Sequence, residues 1–307
     1  MKISIIGTGA IGGYYGILLA NTGHQVHFLL RSDHEFVRNN GLYLKSSMHE
    51  DIFLPRVKAY KEAEDMPKSE IVLVALKTVQ NEQVLPQILR HVADEKSIII
   101  LIQNGLGMEE DLSKVFPLWQ IAGGVALITA YKSESGRIVH QDHGNLDLGS
   151  YNVRDTDLLD KVVSCLKAAG VPSSRKQLNY LRWKKLVWNM SFNGLSVVLN
   201  KTTTEILSDK NALERCKAIM AEVIQGAKAC GVTLPVNFVN QMIAFTADML
   251  PYSPSMKLDY EFNRPMEVEY LYRKPTDIAR NAGYEMNESV KLYQELCQLN
   301  ACHYQTS

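Results

Sequence analysis

Lys2-Ile3-Ser4-Ile5-Ile6-Gly7-Thr8-Gly9-Ala10-Ile11-Gly12 stands one residue into the chain. A short, largely apolar run ends at Gly7, and Ile11, Tyr14, Tyr15, Leu18 and Leu19 then recur at helical spacing until Gly23 supplies a stop. The reading is strand, tight turn, helix. Gly7, Gly9 and Gly12 follow the pattern G-x-G-x-x-G. In that pattern the first glycine permits the turn, the second lets backbone approach a pyrophosphate, and the third allows close packing of helix on strand. The N-terminus of the helix offers N–H groups and the positive end of its dipole to the phosphates. Thr8, Ala10 and Ile11 complete this candidate cofactor-binding turn. The alternative is a glycine-rich turn that holds no ligand.

Working outward, Gln25 to Leu30 alternates as a second strand, Ile71 to Leu76 reads as another, and Ser97 to Ile102 is nearly all apolar. Strands this apolar are buried on both faces, as in a parallel sheet. The helical stretch near Glu82 to His91 suits the crossover that parallel strands need. Shorter β-like runs follow at Val125 to Ala130, Ile138 to His140 and Leu146 to Leu148, then a helix around Thr156 to Ala169. Strand signals stop near Arg175. Cys216, Ile219, Met220, Val223, Ile224 and Ala227 form a helix stripe between the capping candidate Asp209 and Gly231, and a last helix is expected over Ser289 to Leu299. The expected architecture is α/β: a Rossmann-type doubly wound domain over residues 1–176, followed by an all-helical domain over 177–307.

The end of the second strand carries information about the cofactor. Versions that bind NAD place an acidic residue roughly 20 positions beyond the glycines to accept from the ribose 2′-hydroxyl. Here Arg31 occupies that region, and a guanidinium binds a 2′-phosphate through paired charge-assisted hydrogen bonds, which favours NADP. Asp33 nearby argues the other way, and Arg31 as a solvated loop charge is the alternative.

Ligands in open α/β sheets bind beyond the carboxyl ends of the strands. Lys77 ends one strand in Ala75-Leu76-Lys77-Thr78, and Asn104 follows the next in Gln103-Asn104-Gly105-Leu106-Gly107. A polar strand terminus and a turn-forming Asn-Gly are the plainer readings of the two. In Trp183-Lys184-Lys185-Leu186-Val187-Trp188-Asn189-Met190-Ser191-Phe192-Asn193, the residues Lys185, Asn189 and Asn193 are spaced by four and share one face of a helix. Two asparagines among Trp and Phe point to hydrogen bonding with a ligand or another domain rather than to a solvated face. Ser255 and Glu267, in Ser253-Pro254-Ser255-Met256-Lys257-Leu258-Asp259 and Arg264-Pro265-Met266-Glu267, are explained locally as helix-start residues.

The chain has 307 residues, 46% of them apolar, enough for two cores. Thirty-three basic residues balance thirty-three acidic ones, so no bulk field draws nucleic acid or an anionic membrane. Cys165, Cys216, Cys230, Cys297 and Cys302 are an odd set without C-x-x-C spacing, as expected of free thiols in the cytoplasm. The apolar N-terminus superficially copies a secretory signal, but its glycines would weaken a continuous helix, and no run approaches the roughly 18 apolar residues of a membrane span. No hydrolase elbow is present. His140-x-x-His143 lacks the further ligands of a zinc site, so no metal is expected and both histidines read as loop residues.

Taken in order, the glycine motif, Arg31, Leu76-Lys77, the Gln-Asn-Gly-Leu-Gly loop, Trp183-Lys184-Lys185-Leu186 with Asn189 and Asn193, Ser255-Met256 and Glu267 resemble the 2-dehydropantoate 2-reductase (ketopantoate reductase) family across nearly the whole chain. The resemblance implies NADPH and reduction of a small 2-keto acid, above all 2-dehydropantoate to pantoate in pantothenate and coenzyme A biosynthesis, by a monomer or homodimer. It implies that Lys185 is the catalytic lysine, with Asn104 and Lys77 as catalytic and cofactor-side helpers. It also implies that Asn189, Asn193, Ser255 and Glu267 bind substrate, Glu267 standing at the cofactor as well. This displaces the local explanation of Ser255 and Glu267. Thr203, where an asparagine is common in the family, Met266 in place of a threonine, and a missing glycine after Tyr270-Leu271-Tyr272-Arg273 are departures that bear on substrate identity. The competing readings are a related dehydrogenase of another 2-keto or hydroxy acid and a non-catalytic NADPH-sensing protein.

Overall fold

The computed structural model describes residues 1–249 and 253–305. Nine strands form one sheet: β1 (Lys2–Ile6), β2 (Gln25–Leu29), β3 (Leu42–Ser46), β4 (Ile52–Leu54), β5 (Lys58–Tyr60), β6 (Ile71–Val74), β7 (Ile98–Leu101), β8 (Gln120–Glu134) and β9 (Arg137–Ser150). Their spatial order is β4-β3-β9-β8-β7-β6-β1-β2-β5. From β5 to β8 every neighbouring pair is parallel. This stretch has the order of a doubly wound Rossmann sheet with its first strand central, so the glycine turn after β1 sits where the strand order reverses. Ile5 pairs with Phe28 on one side and Leu73 on the other, and β1, β6 and β7 are buried almost throughout, which explains their continuous apolar sequence.

The three short β-like runs between Val125 and Leu148 are parts of one long antiparallel hairpin, β8 and β9. Register shifts at Leu127/Ile128, Thr129/Ala130 and Lys132/Glu134 reset the alternation, and so the pattern of side chains breaks up although the strands continue. His140 and His143 lie on β9 and not in a loop: His140 is fully buried between Ser46 and the carbonyls of Asp142 and His143, and His143 takes a positive φ at a bulge. β3, β4, β5 and the helix His34–Asn40 also escape the sequence reading.

The chain divides into two compact units, one of Met1–Gln103 with Met108–Leu178, the other of Asn104–Gly107 with Asn179 onward. The second unit is helical. Asp209 caps the helix Lys210–Ala229 by accepting from the N–H groups of Asn211 and Ala212, and Cys216, Ile219, Met220 and Val223 from that helix enter the core with Trp183, Leu186 and Phe192. Cys165, Cys216, Cys230 and Cys297 are free thiols, and the side chain of Cys302 lies outside the described residues. No described helix is long and apolar enough to cross a membrane.

Candidate active site

In the first unit Gly7 turns the chain out of β1 with φ +94°, a conformation that disfavours any side chain. Gly9 is the N-cap of the helix Ala10–Asn21, and Ala10 and Ile11 form its first turn. The Thr8 hydroxyl donates to the Leu29 carbonyl at 2.9 Å, fixing the turn to the end of β2. A Cβ at Gly12 would lie 2.2 Å from the Gly7 carbonyl oxygen, whereas a Cβ at Gly9 would meet nothing within 4 Å. Gly12 therefore serves internal packing, and Gly9 faces open space beside an N-terminus that no side chain caps. That cradle fits the pyrophosphate of a dinucleotide.

Arg31 is exposed just beyond β2. Asp33 is 6% exposed and engages the Lys132 ammonium at 2.7 Å, so its charge is committed to the β8–β9 hairpin. Lys77, half-buried, follows β6 and precedes the single turn Thr78–Gln80. Gln103 binds the Leu76 carbonyl at 2.9 Å and exchanges hydrogen bonds with Asn81, tying together the ends of β6 and β7. The sequence reading overlooked Asn81; its polar run Thr78-Val79-Gln80-Asn81 directly after a strand is the available signal.

The second unit holds Lys185. Its Nζ donates to Oδ1 of Asn104 at 2.8 Å. Asn104 is held by its loop: the Leu106 N–H donates to the Tyr270 carbonyl at 2.9 Å, and Gly105, at φ +112°, passes so near that a Cβ would lie 2.3 Å from that same oxygen. Burial pulls the Lys185 pKa down to about 8; the positive charge of Arg182 acts in the same direction, and the carboxylate of Glu267 opposes both. Glu267 itself is buried, just before the turn Glu269–Arg273.

The expected single α-helical face is modified. The helix Leu178–Trp188 opens into a π-helical turn, Asn189–Asn193, before Gly194–Val198 resumes α geometry. Such turns release a backbone carbonyl from its usual partner, and here the buried Tyr272 hydroxyl donates to the Met190 carbonyl at 2.9 Å. Asn189 and Asn193 are both buried, which rules out a solvated face. Asn193 is 2% exposed and its Oδ1 has no hydrogen-bond partner in the protein, an acceptor waiting for a donor. Thr203 is buried at the start of the helix Thr203–Ser208, and Met266 is a core residue. Ser255 is exposed at the first position of the helix Ser255–Glu261. Pro254 is the N-cap of that helix and no side chain caps it, so Ser255 stands at a helix start, as its local reading has it, without capping the helix.

Lys185, Asn104 and Glu267 thus come together in one cluster, with Asn189 and Asn193 continuing the lysine's helix. Gly7, Thr8, Gly9, Ala10, Ile11, Gly12, Arg31 and Lys77 belong to the other unit. Arg182, buried one turn before Lys185, is the member of the cluster that sequence reasoning missed.

A doubly wound sheet with a glycine-rich first turn, joined to a helical unit that holds a half-buried lysine on an asparagine, is the build of a Rossmann-type oxidoreductase. The family described as ketopantoate reductase PanE/ApbA matches residues 3–153, and its C-terminal counterpart matches residues 177–299. A 2-dehydropantoate 2-reductase of a Nostoc species is 40% identical over 301 residues, covering 96% of this chain and 94% of the relative. The crystal structure of 2-dehydropantoate 2-reductase from Geobacter metallireducens superposes with a TM-score of 0.92 at 37% identity, covering 97% of this chain and 99% of the other. The enzyme of the same name from Methylococcus capsulatus gives 0.89 at 32% identity, covering 99% and 98%. The chain belongs to the ketopantoate reductase family.

Proposed function

We propose that this chain is an NADPH-dependent reductase of a small 2-keto acid, with 2-dehydropantoate reduced to pantoate as its reaction. The observation that carries the reading is the half-buried Lys185 ammonium, held on Asn104 at 2.8 Å, with its pKa pulled down to about 8. When bound, NADPH supplies a hydride to the keto carbon. Lys185 donates a hydrogen bond to the keto oxygen, stabilises the charge that grows there, and transfers its proton to complete the alcohol; the neutral amine then recovers a proton from solvent. Asn104 fixes the direction of the ammonium. Asn189 orients the substrate, and the unpartnered Oδ1 of Asn193 together with the carboxylate of Glu267 provides acceptors for a substrate hydroxyl. Ser255 contributes its hydroxyl from the first turn of its helix. Lys77 stands at the strand ends on the cofactor side.

The test is the rate of NADPH oxidation with a series of 2-keto acids as pH is varied. A lysine with pKa about 8 is protonated below that value and neutral above it. Reduction needs the proton, so kcat/KM holds level up to about pH 8 and falls tenfold per unit beyond, while oxidation of the 2-hydroxy acid rises through the same value. An alkaline limb with a pKa near the ordinary lysine value, or the same limb in both directions, contradicts the assignment.

Cofactor choice follows from Arg31, with Asp33 withdrawn onto Lys132. NADPH is expected to bind more tightly than NADH, and Arg31→Ala to weaken NADPH by about 10- to 100-fold, the worth of a charge-assisted contact, while NADH is little changed. Equal affinity of the wild type for the two cofactors, measured by fluorescence titration, counts against this.

A further inference from the structure

The cation that pairs with Asp33 comes from the long hairpin, 99 residues further along the chain. Lys132 lies near the end of β8, and its Nζ donates to Oδ2 of Asp33 at 2.7 Å. The N–H of Gly136, in the turn between β8 and β9, reaches the same oxygen at 3.5 Å, and the Ser32 hydroxyl donates to Oδ1 at 3.4 Å. Asp33 stands at the N-cap of the helix His34–Asn40, where an aspartate ordinarily accepts from the N–H groups of the first turn, yet its side chain makes no such bond. The carboxylate is given over to the hairpin. Its side chain is 7% exposed, so its charge is met by Lys132 rather than by water.

That cancellation matters because of what stands two residues earlier. Arg31 is exposed just beyond β2, and two Cα steps of about 3.8 Å keep the Cα atoms of Arg31 and Asp33 within about 7.6 Å of one another. This is shorter than the screening length of about 8 Å at physiological ionic strength. Salt alone therefore does not hide a carboxylate at Asp33 from an anion held at Arg31. With the Lys132 ammonium on Asp33 the pair is neutral, and a 2′-phosphate meets the Arg31 guanidinium without an opposing charge beside it. Without Lys132 an uncompensated acidic group would stand two residues past Arg31, near the end of β2 where versions that bind NAD carry theirs.

We propose that Lys132 determines cofactor choice, acting through Asp33: it cancels the carboxylate that would repel a 2′-phosphate, and so lets Arg31 select NADPH. This rests on the reading of Arg31 as the ligand of that phosphate. The plainer role of the pair is to anchor the hairpin to the helix His34–Asn40, and that role makes no distinction between the two cofactors.

The experiment measures the dissociation constants of NADPH and NADH by fluorescence titration, at low and high salt, in wild type, Lys132→Met, Asp33→Asn and the double variant. The wild type is read first: an absent preference for NADPH there overturns the Arg31 reading and this proposal together, whereas a failure of the Lys132 assignment alone appears only in the variants. Lys132→Met is expected to weaken NADPH by about tenfold and NADH by less than about threefold, the loss shrinking as salt screens the exposed carboxylate. The double variant removes both charges and is expected to bind NADPH within about threefold of the wild type, although the anchor is lost as well. Asp33→Asn leaves the Lys132 ammonium unopposed and is expected to tighten NADPH by about threefold or more with NADH unchanged; it carries the comparison if the methionine variant does not fold. Equal losses of the two cofactors in folded Lys132→Met, no recovery of NADPH in the double variant, or the same response of both cofactors to Asp33→Asn would return the pair to a hairpin anchor and overturn the proposal.

Discussion

Lys185→Ala is expected to fold and to bind NADPH as the wild type does, since the glycine turn belongs to the other compact unit, and to lose about 10² to 10⁴-fold in kcat, the range typical of a missing general acid. A further loss in kcat/KM appears if the ammonium also binds the keto oxygen before reaction. Lys184→Ala is the control. Its side chain leaves the helix about 100° away from that of Lys185. It is exposed and lies over the rings of Tyr180 and Phe238 at 5.9 and 6.0 Å, so its removal costs a surface contact and leaves turnover near wild type. Steady-state kinetics with matched thermal melts decide the matter: turnover retained in a folded Lys185→Ala protein, or a larger loss in Lys184→Ala, rejects Lys185 as the acid.

Gly9→Ala and Gly12→Ala are expected to fail in opposite ways. The added methyl at Gly9 meets nothing within 4 Å and the residue already has an ordinary negative φ, so the melting temperature should hold. Affinity for NADPH should drop by about tenfold or more, because the methyl occupies the space through which the pyrophosphate approaches. At Gly12 the methyl would stand 2.2 Å from the Gly7 carbonyl oxygen, with Ile5 and Ala75 at 3.0 and 3.2 Å, and none of the backbone can retreat cheaply. Overpacking of this kind costs about 1–3 kcal/mol, so Gly12→Ala should melt lower as well as bind poorly. A Gly9→Ala protein with undiminished NADPH affinity would remove the turn from the cofactor site.

The parts of the fold visible in the sequence are those fixed by local constraint. The β1 turn is written in three glycines whose spacing has one geometric purpose, and β6 and β7 are continuous apolar runs because both of their faces are covered. β4 and β5, three residues each at the two edges of the sheet, carry too little pattern to separate from a loop, and the bulges of β8 and β9 break one hairpin into apparent fragments. In the candidate site the i, i+4 spacing makes Lys185, Asn189 and Asn193 stand out. Nothing in Asn189–Asn193 announces a π turn, since the group that satisfies the Met190 carbonyl is Tyr272, far along the chain. The engagement of Asp33 by Lys132 is equally distant in sequence, and it changes how Arg31 is read. Arg182, beside Trp183 and Lys184, looks in sequence like one more surface cation; only its burial sets it apart.

The π turn also makes the spacing of the site a matter of helical phase. A π turn absorbs one extra residue within an α-helix, so return of Asn189–Asn193 to α geometry with every residue kept would shift the phase of all that follows at little cost in hydrogen bonds. Everything beyond the turn would then rotate through about 100° relative to Lys185, carrying Asn193 off the shared face while the core residues around it kept their apolar character. Tyr272 resists that slip, because its hydroxyl is matched to a carbonyl that only the wider turn exposes, and Tyr272 itself sits in a second π turn, Glu269–Arg273. The two irregular turns lock one another, and the phase of Asn193 is kept by a phenol buried behind it.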